Sequence, residues 1–233
     1  MDNELHIFDR GQVMLIDKPL EWTSFDVVRK LRRLVKTKKV GHAGTLDPLA
    51  TGLLIVCTGK FTKRINEYMA KEKEYTGTVM LGAVTPTYDL ESAPVPVGDY
   101  GGLTLPEIRE VIGAKFLGGI MQVPPIHSAI KVDGQRVYEL ARKGREVKLE
   151  ARPVVISLFE ITEFRLPELS FRVVCSTGTY IRSLANDLGA ALGCGGYLSS
   201  LRRTRIGEFR VEDALTIEGA ETHIKELFER QNG

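Results

Sequence analysis

Between Gly41 and Leu54 the chain reads GHAGTLDPLATGLL, a single acid in an otherwise uncharged run that leads into the apolar stretch Leu53–Cys57. Gly41, Gly44 and Gly52 let the backbone bend where a Cβ would clash. Pro48 fixes its own φ and biases Asp47 toward an extended conformation. The stretch is therefore a shaped loop and not a helix or a strand, and LLIVC after it reads as a buried strand. Asp47 is a carboxylate on a stiff loop braced by a core element, an arrangement that suits a reactive group. The same residues also fit a plain turn, in which an Asp-Pro between glycines caps local backbone N–H groups. Spacing alone does not separate the two readings.

The remaining chain falls into short elements. Thr23–Asp26 has capping-box spacing, so a helix is expected from about Ser24 to Val35 with Val27, Val28, Leu31, Leu34 and Val35 on one face. Seven cations (Arg29, Lys30, Arg32, Arg33, Lys36, Lys38 and Lys39) follow with no acid among them. A charge run is usually a solvated face, but an uncompensated one beside the Asp47 loop reads better as a phosphate-binding surface. Thr62–Lys73 reads as a helix with Ile65, Tyr68 and Met69 inward, and Lys73–Val84 as a strand that turns Tyr75 inward. A Pro-rich loop at 85–100 precedes a second capped helix, Leu105–Phe116. Asp133-Gly134 reads as a hairpin turn before a short basic helix from Gln135 to Lys143. Pro153–Arg165 and Leu169–Ser176 read as strands. Thr179 is the expected N-cap of a helix whose core stripe is Ile181, Leu184, Ala185, Leu188, Ala191 and Leu192. Arg182 falls in that helix's first turn, where the dipole disfavours a cation unless an anion lies nearby; the alternative is a solvent-exposed arginine.

Over its whole length, GHAGTLDPLATGLL resembles the catalytic motif of the TruB-type tRNA pseudouridine synthases. GTYIRSLANDLG at 178–189 and LSSLRRTRIGEF at 198–209 carry the same resemblance, which spans roughly residues 11–215. It implies an α+β pseudouridine synthase fold: a mixed, largely antiparallel central sheet flanked by helices, with an RNA-binding cleft and a thumb-like insertion at 121–152, all in one catalytic domain over 1–233. It implies that Asp47 is the essential catalytic residue, that Tyr75 stacks on the target base, and that Arg182 forms an ion pair with Asp47. Tyr180, Leu201 and His42 are implied as support, Leu201 as an apolar wall and His42 as a wedge in the space the base vacates. A lone histidine beside glycines equally fits a structural hydrogen bond. The RNA-contact candidates are Lys18, Lys63, Asp89, Lys131, Arg136, Arg142, Lys143, Arg202 and Arg203. Many bacterial members carry a further C-terminal RNA-binding domain, which the stretch from Arg210 to Gly233 is too short to make. The implied partner is tRNA, through its T-stem-loop, and the implied reaction is isomerisation of uridine 55 to pseudouridine.

Composition sets limits more than direction. With 43% hydrophobic and 27% charged residues the sequence is that of an ordinary globular protein, and a net charge of +2 does not announce a nucleic-acid partner. Cys57, Cys175 and Cys194 form no CxxC pair, so buried free thiols in a reducing compartment are expected. MDNELHIFDR has no apolar core for a signal peptide, and no run nears the ~20 residues that span a bilayer. A cytoplasmic monomer without membrane contact is the expectation. The histidines are scattered, and no P-loop or dinucleotide fingerprint occurs. No cofactor and no metal are expected, which suits an isomerisation that needs neither an electron nor a group donor. Two other classes stay open: a non-catalytic tRNA-binding or tRNA-folding protein, and a metal-dependent hydrolase, which the lack of a second acid near Asp47 disfavours.

Overall fold

The computed structural model describes residues 6–126, 128, 131–132, 135–136 and 149–232. In chain order the elements are α1 (Ile7–Arg10), β1 (Val13–Lys18), α2 (Ser24–Val35), β2 (Val40–Ala43), β3 (Ala50–Thr58), α3 (Ile65–Met69), β4 (Lys73–Leu81), β5 (Ala83–Val84), β6 (Val95–Pro96), α4 (Leu105–Lys115) and β7 (Gly118–Gln122). There follow β8 (Lys131–Val132), β9 (Gln135–Arg136), β10 (Arg152–Arg165), β11 (Glu168–Cys175), α5 (Ile181–Ala191), β12 (Gly196–Ile206), β13 (Phe209–Arg210) and α6 (Ile217–Asn232). They fall into two units, Met1–Tyr75 with Leu201–Gly233, and Thr76–Ser200.

In the first unit β3 is the hub. β1 runs antiparallel along one edge, from Val13 opposite Cys57 to Lys18 opposite Gly52. The other edge changes partner part-way: β2 pairs antiparallel with residues 55–58, and Leu201–Arg203 of β12 pair parallel with residues 50–52. Residues 44–49, the Asp47 loop, connect β2 to β3 at that change. Leu54 and Val56 join Val27, Val28, Leu31 and Val35 of α2 and Ile217, Ala220 and Ile224 of α6 in one core. Leu53, Ile55 and Cys57 join Tyr68, Ile206 and Val211 in another. A strand covered on both faces reads as a continuous apolar run, which is what LLIVC is. α2 has the expected bounds, because Asp26 N donates to Thr23 Oγ1 and Thr23 N to Asp26 Oδ2, each at 3.0 Å. The helix expected over Thr62–Lys73 is instead a 3₁₀ turn, Gly59–Arg64, followed by the short α3, and Met69 is 40% exposed. Lys73 Nζ donates to Met69 O and Lys71 O, each at 2.6 Å, so it closes the helix end and the strand starts there.

In the second unit β10 and β11 form a long antiparallel hairpin, β7 lies antiparallel along β10, and β4 neighbours β11. Phe116, just after α4, meets Phe159 edge-on at 6.3 Å, and Phe159 meets Phe171 at 6.0 Å, the geometry that ring quadrupoles favour. α5 and β12 approach so closely that a Cβ on Gly189 would lie 2.0 Å from Gly196 N. Tyr180, not Thr179, is the N-cap of α5; Thr179 Oγ1 donates to Ser176 O at 2.9 Å and closes the preceding turn. β8 and β9 pair antiparallel, Val132 opposite Gln135; the expected Asp133-Gly134 turn lies outside the described residues. Gln135–Arg136 is therefore strand and not the start of the expected helix. The rest of that helix, with Arg142 and Lys143, lies outside the described residues.

β12 lies beside β4 in both units: Ser199 Oγ donates to Thr78 O at 3.2 Å in the second, and Thr204 Oγ1 to Glu74 Oε1 at 3.0 Å in the first. The strands are mixed, mostly antiparallel, and flanked by helices, an α+β architecture. Cys57, Cys175 and Cys194 are buried, and none is in a disulfide. Among the described residues no helix is long and apolar enough to cross a membrane.

Candidate active site

Asp47 is half-buried, in a turn closed by Ala50 N donating to Asp47 O at 3.0 Å. Three clamps hold its loop within the first unit. The Ser24 hydroxyl, at the start of α2, accepts from Leu46 N at 2.9 Å and donates to Leu46 O at 3.2 Å. Glu21 N donates to Pro48 O at 2.9 Å. Arg203 donates from Nε to Leu53 O at 2.8 Å and from Nη2 to Gly44 O at 3.0 Å, so one guanidinium ties the start of the loop to the strand that leaves it. Gly44 (φ +87°) and Gly52 (φ +101°) supply the left-handed backbone these bends need.

The expectation that Lys18 and Arg203 contact RNA is corrected. They are 0% and 1% exposed, so neither presents a face to a phosphate. Lys18 Nζ donates to Pro19 O (3.0 Å), Trp22 O (2.5 Å) and Pro48 O (3.4 Å), drawing the turn before α2 onto the Asp47 loop. Burial lowers its pKa from the ordinary 10.5 to about 8; the Asp47 charge opposes that shift and the Arg203 charge adds to it. Lys18→Met leaves the three carbonyls without their donor and is expected to cost about 2 kcal/mol, about 4–8 °C in thermal midpoint for a chain of this size. The lysine's folded pKa lies below its unfolded one, so the charged form opposes folding in full below about pH 8 and progressively less toward pH 10.5. Thermal melts across that window should show the wild type's margin over Lys18→Met widening as pH rises.

His42 is half-buried on β2, opposite Val56. Burial first, then the Arg203 charge, hold its pKa below the ordinary 6.5 against the Gly44 backbone, so the ring is neutral at pH 7. Tyr75 is 7% exposed, inward on β4. Leu201 is half-buried opposite Ala50, and Lys63 is exposed. Arg202 makes a bidentate pair with Asp17 at 2.9 and 2.7 Å and keeps 40% of its side chain exposed. The basic run on α2 is partly compensated: Arg29 meets Asp26 at 2.6 Å and Lys30 meets Glu221 of α6 at 3.0 Å. Arg33, Lys38 and Lys39 have no ion pair among the described residues.

In the second unit Arg182 is 5% exposed, not the solvated side chain of the alternative reading. Its Nη1 donates to Thr87 O at 3.1 Å and its Nε lies 3.8 Å from Asp89 Oδ2. Asp89 is thus an anion of the kind the helix-dipole argument requires, and at 4% exposure it is not the RNA contact the sequence suggested. Thr85 Oγ1 donates to Asp89 O at 2.7 Å, and Tyr88, between Thr87 and Asp89, takes φ +64°. The sequence reading missed Gln122. Its side chain accepts from Tyr180 N at 2.8 Å and donates to Tyr180 O at 3.1 Å, fixing the residue that starts the Arg182 helix. A glutamine at a strand end carries no local sign of such a role. Lys131 and Arg136 lie opposite each other on the β8–β9 ribbon.

The family model for the N-terminal domain of TruB family pseudouridylate synthases matches residues 32–181, and the model for the tRNA pseudouridylate synthase B C-terminal domain matches residues 182–228. The chain belongs to the TruB pseudouridylate synthase family. The TruB resemblance therefore runs past residue 215, where the sequence reading ended it, into α6. A Flavobacterium johnsoniae protein named tRNA pseudouridine synthase B is 54% identical over 214 residues, 89% of this chain and 93% of that protein. One of the same name from Bacteroides thetaiotaomicron is 52% identical over 234 residues, 96% and 95% of the two. Among solved structures, a chain in the crystal structure of a Cbf5–Nop10–Gar1 complex superposes with a TM-score of 0.75 at 31% identity; the match covers 98% of this TruB chain and 58% of that one. A chain of an H/ACA RNP bound to a substrate RNA containing 2′-deoxyuridine gives a TM-score of 0.72 at 28% identity, covering 99% and 58%.

Proposed function

We propose that this chain converts uridine to pseudouridine in tRNA, at position 55 of the T-loop, with Asp47 as the essential group. The observation that carries the reading is the Asp47 loop itself, gripped through its backbone at Gly44, Leu46, Pro48 and Leu53 in a member of this family. Such clamping fixes where a carboxylate points before substrate arrives.

The reaction breaks the N1–C1′ bond, turns the uracil and joins C5 to C1′; the C5 proton leaves to water and N1 takes a proton from water, so the product is an isomer and no group donor is needed. The uridine leaves the folded RNA for a pocket at a cost of a few kcal/mol. Tyr75 offers it a stacking face and Leu201 an apolar wall, while His42 wedges the space left behind. Asp47 acts ionised, as nucleophile at C1′ or as base toward a sugar proton. Arg182, oriented by Thr87 and Asp89, is its counter-ion, favouring the charged carboxylate and setting its angle; Tyr180 starts the helix that bears it. Lys63, Arg202 and the insertion residues Lys131, Arg136, Arg142 and Lys143 take phosphates of the T-stem-loop. The enzyme works as a cytoplasmic monomer.

Tritium release from C5-labelled uridine in a T-loop RNA tests the reading. Stoichiometric release, unchanged by chelator, is expected. Binding without release would leave only a tRNA-binding protein, and release abolished by chelator would point to metal chemistry.

A further inference from the structure

Phe25 and Leu20 are 60% and 54% exposed, and both flank the turn that Lys18, Glu21 and Ser24 fasten to the Asp47 loop. Single exposed apolar residues are common, but here the surroundings are specific. Beside them is a cavity of about 360 Å³ lined by Glu21, Trp22, Asp26, Arg29, Lys30 and Arg33. Asp26 is committed to the capping box and Arg29, and Lys30 to Glu221. Arg33 is exposed and has no ion pair among the described residues. Phe25, Arg29 and Arg33 follow one another at i, i+4 and i+8 and share the outer face of α2. The stripe runs about 12 Å along the helix, with an aromatic ring at the end fastened to the Asp47 loop and cations leading away.

A ring followed by cations is the chemistry that receives unpaired nucleic acid: an aromatic face stacks on any base, and the cations meet the backbone. We propose that Phe25 is the stacking platform for an unpaired base neighbouring the target uridine, with Arg33 taking a phosphate of the same strand two helical turns away. The proposal rests on the tRNA reading above and adds where an adjacent nucleotide sits. The cationic stripe favours RNA over an apolar protein partner, whose interface would be depleted of charge at its centre.

The full chain and its Phe25→Ala, Phe25→Tyr and Arg33→Gln variants are titrated with a T-arm stem-loop RNA over a series of salt concentrations. Phe25→Ala is expected to raise Kd about 5- to 150-fold, the range for losing one base–aromatic stack. Its dependence of log K on log salt should not change, because stacking releases no counterion. Phe25→Tyr keeps the ring and should bind within about twofold of wild type, while Arg33→Gln should lower the salt slope by about 1. Trp22, the chain's only tryptophan, lines the same cavity, so its emission should respond to RNA in the wild type and respond less in Phe25→Ala. Equal affinity of Phe25→Ala and wild type, or a Tyr variant as weak as the Ala one, would overturn the stacking role. Wild-type binding without pseudouridine formation would overturn the activity and leave this proposal standing. Wild-type turnover with an unaltered Phe25→Ala would overturn this proposal alone.

Discussion

On the proposal that the ionised Asp47 carboxylate is the essential group, Asp47→Asn should reduce pseudouridine formation at least about 10³-fold. The same variant should hold tRNA within about tenfold of wild-type affinity, since phosphate contacts supply most of the binding. The geometry allows this separation. Ser24, Glu21 and Arg203 grip the backbone at residues 44, 46, 48 and 53. Asparagine has the shape of aspartate, so those clamps persist when the charge is gone. Tritium release under single-turnover conditions reads the first quantity, and filter binding at fixed salt reads the second. Turnover within tenfold of wild type would remove Asp47 from the chemistry. Loss of affinity together with turnover would mean that the loop, and not the charge, had been damaged.

How far these roles could be read from the sequence depends on how local their causes are. The bends at Gly44 and Gly52, the ends of α2 and the burial of β3 come from glycine, proline, a capping box and an apolar run, each acting within a few residues. Charged side chains behave otherwise. Lys18 and Arg203 looked like phosphate ligands, yet their partners are carbonyls 30 and 150 residues away. Asp89 and Arg182 are 93 positions apart in the numbering and 3.8 Å apart in space. Glu221, which offsets part of the basic run, belongs to the last helix. A sequence shows that a buried charge is possible, but only the fold supplies the partner that decides between a surface contact and an internal brace. Gln122 is the extreme case, because its role consists entirely of a distant backbone.

Gly52→Ala should be among the most damaging substitutions in the chain, and the reason lies in the strand that carries the Asp47 loop. Gly52 pairs with Lys18 on β1 along one edge and with Arg203 on β12 along the other. Its φ of +101° is strained for any residue with a side chain, and a Cβ there would lie 2.3 Å from Arg203 O and 2.8 Å from Arg203 N. Those atoms are the backbone of a neighbouring strand, so they cannot rotate away as a flexible side chain could. Backbone strain of about 1–3 kcal/mol adds to overpacking of about 1–3 kcal/mol, and a loss near 4 kcal/mol lowers the thermal midpoint by about 8–16 °C. Gly44→Ala separates the two causes. Its φ is +87°, but the nearest atom is Arg203 Nη1 at 3.5 Å, so only the strain should register. Gly102→Ala, with nothing within 4 Å and no left-handed φ, should melt within about 1 kcal/mol of wild type. Melts that rank 52 worst, 44 intermediate and 102 neutral would follow from the close approach of β3 and β12. Equal losses at 52 and 44 would mean that the strands can part to admit a methyl group, and that Arg203 grips the loop less firmly than its distances indicate.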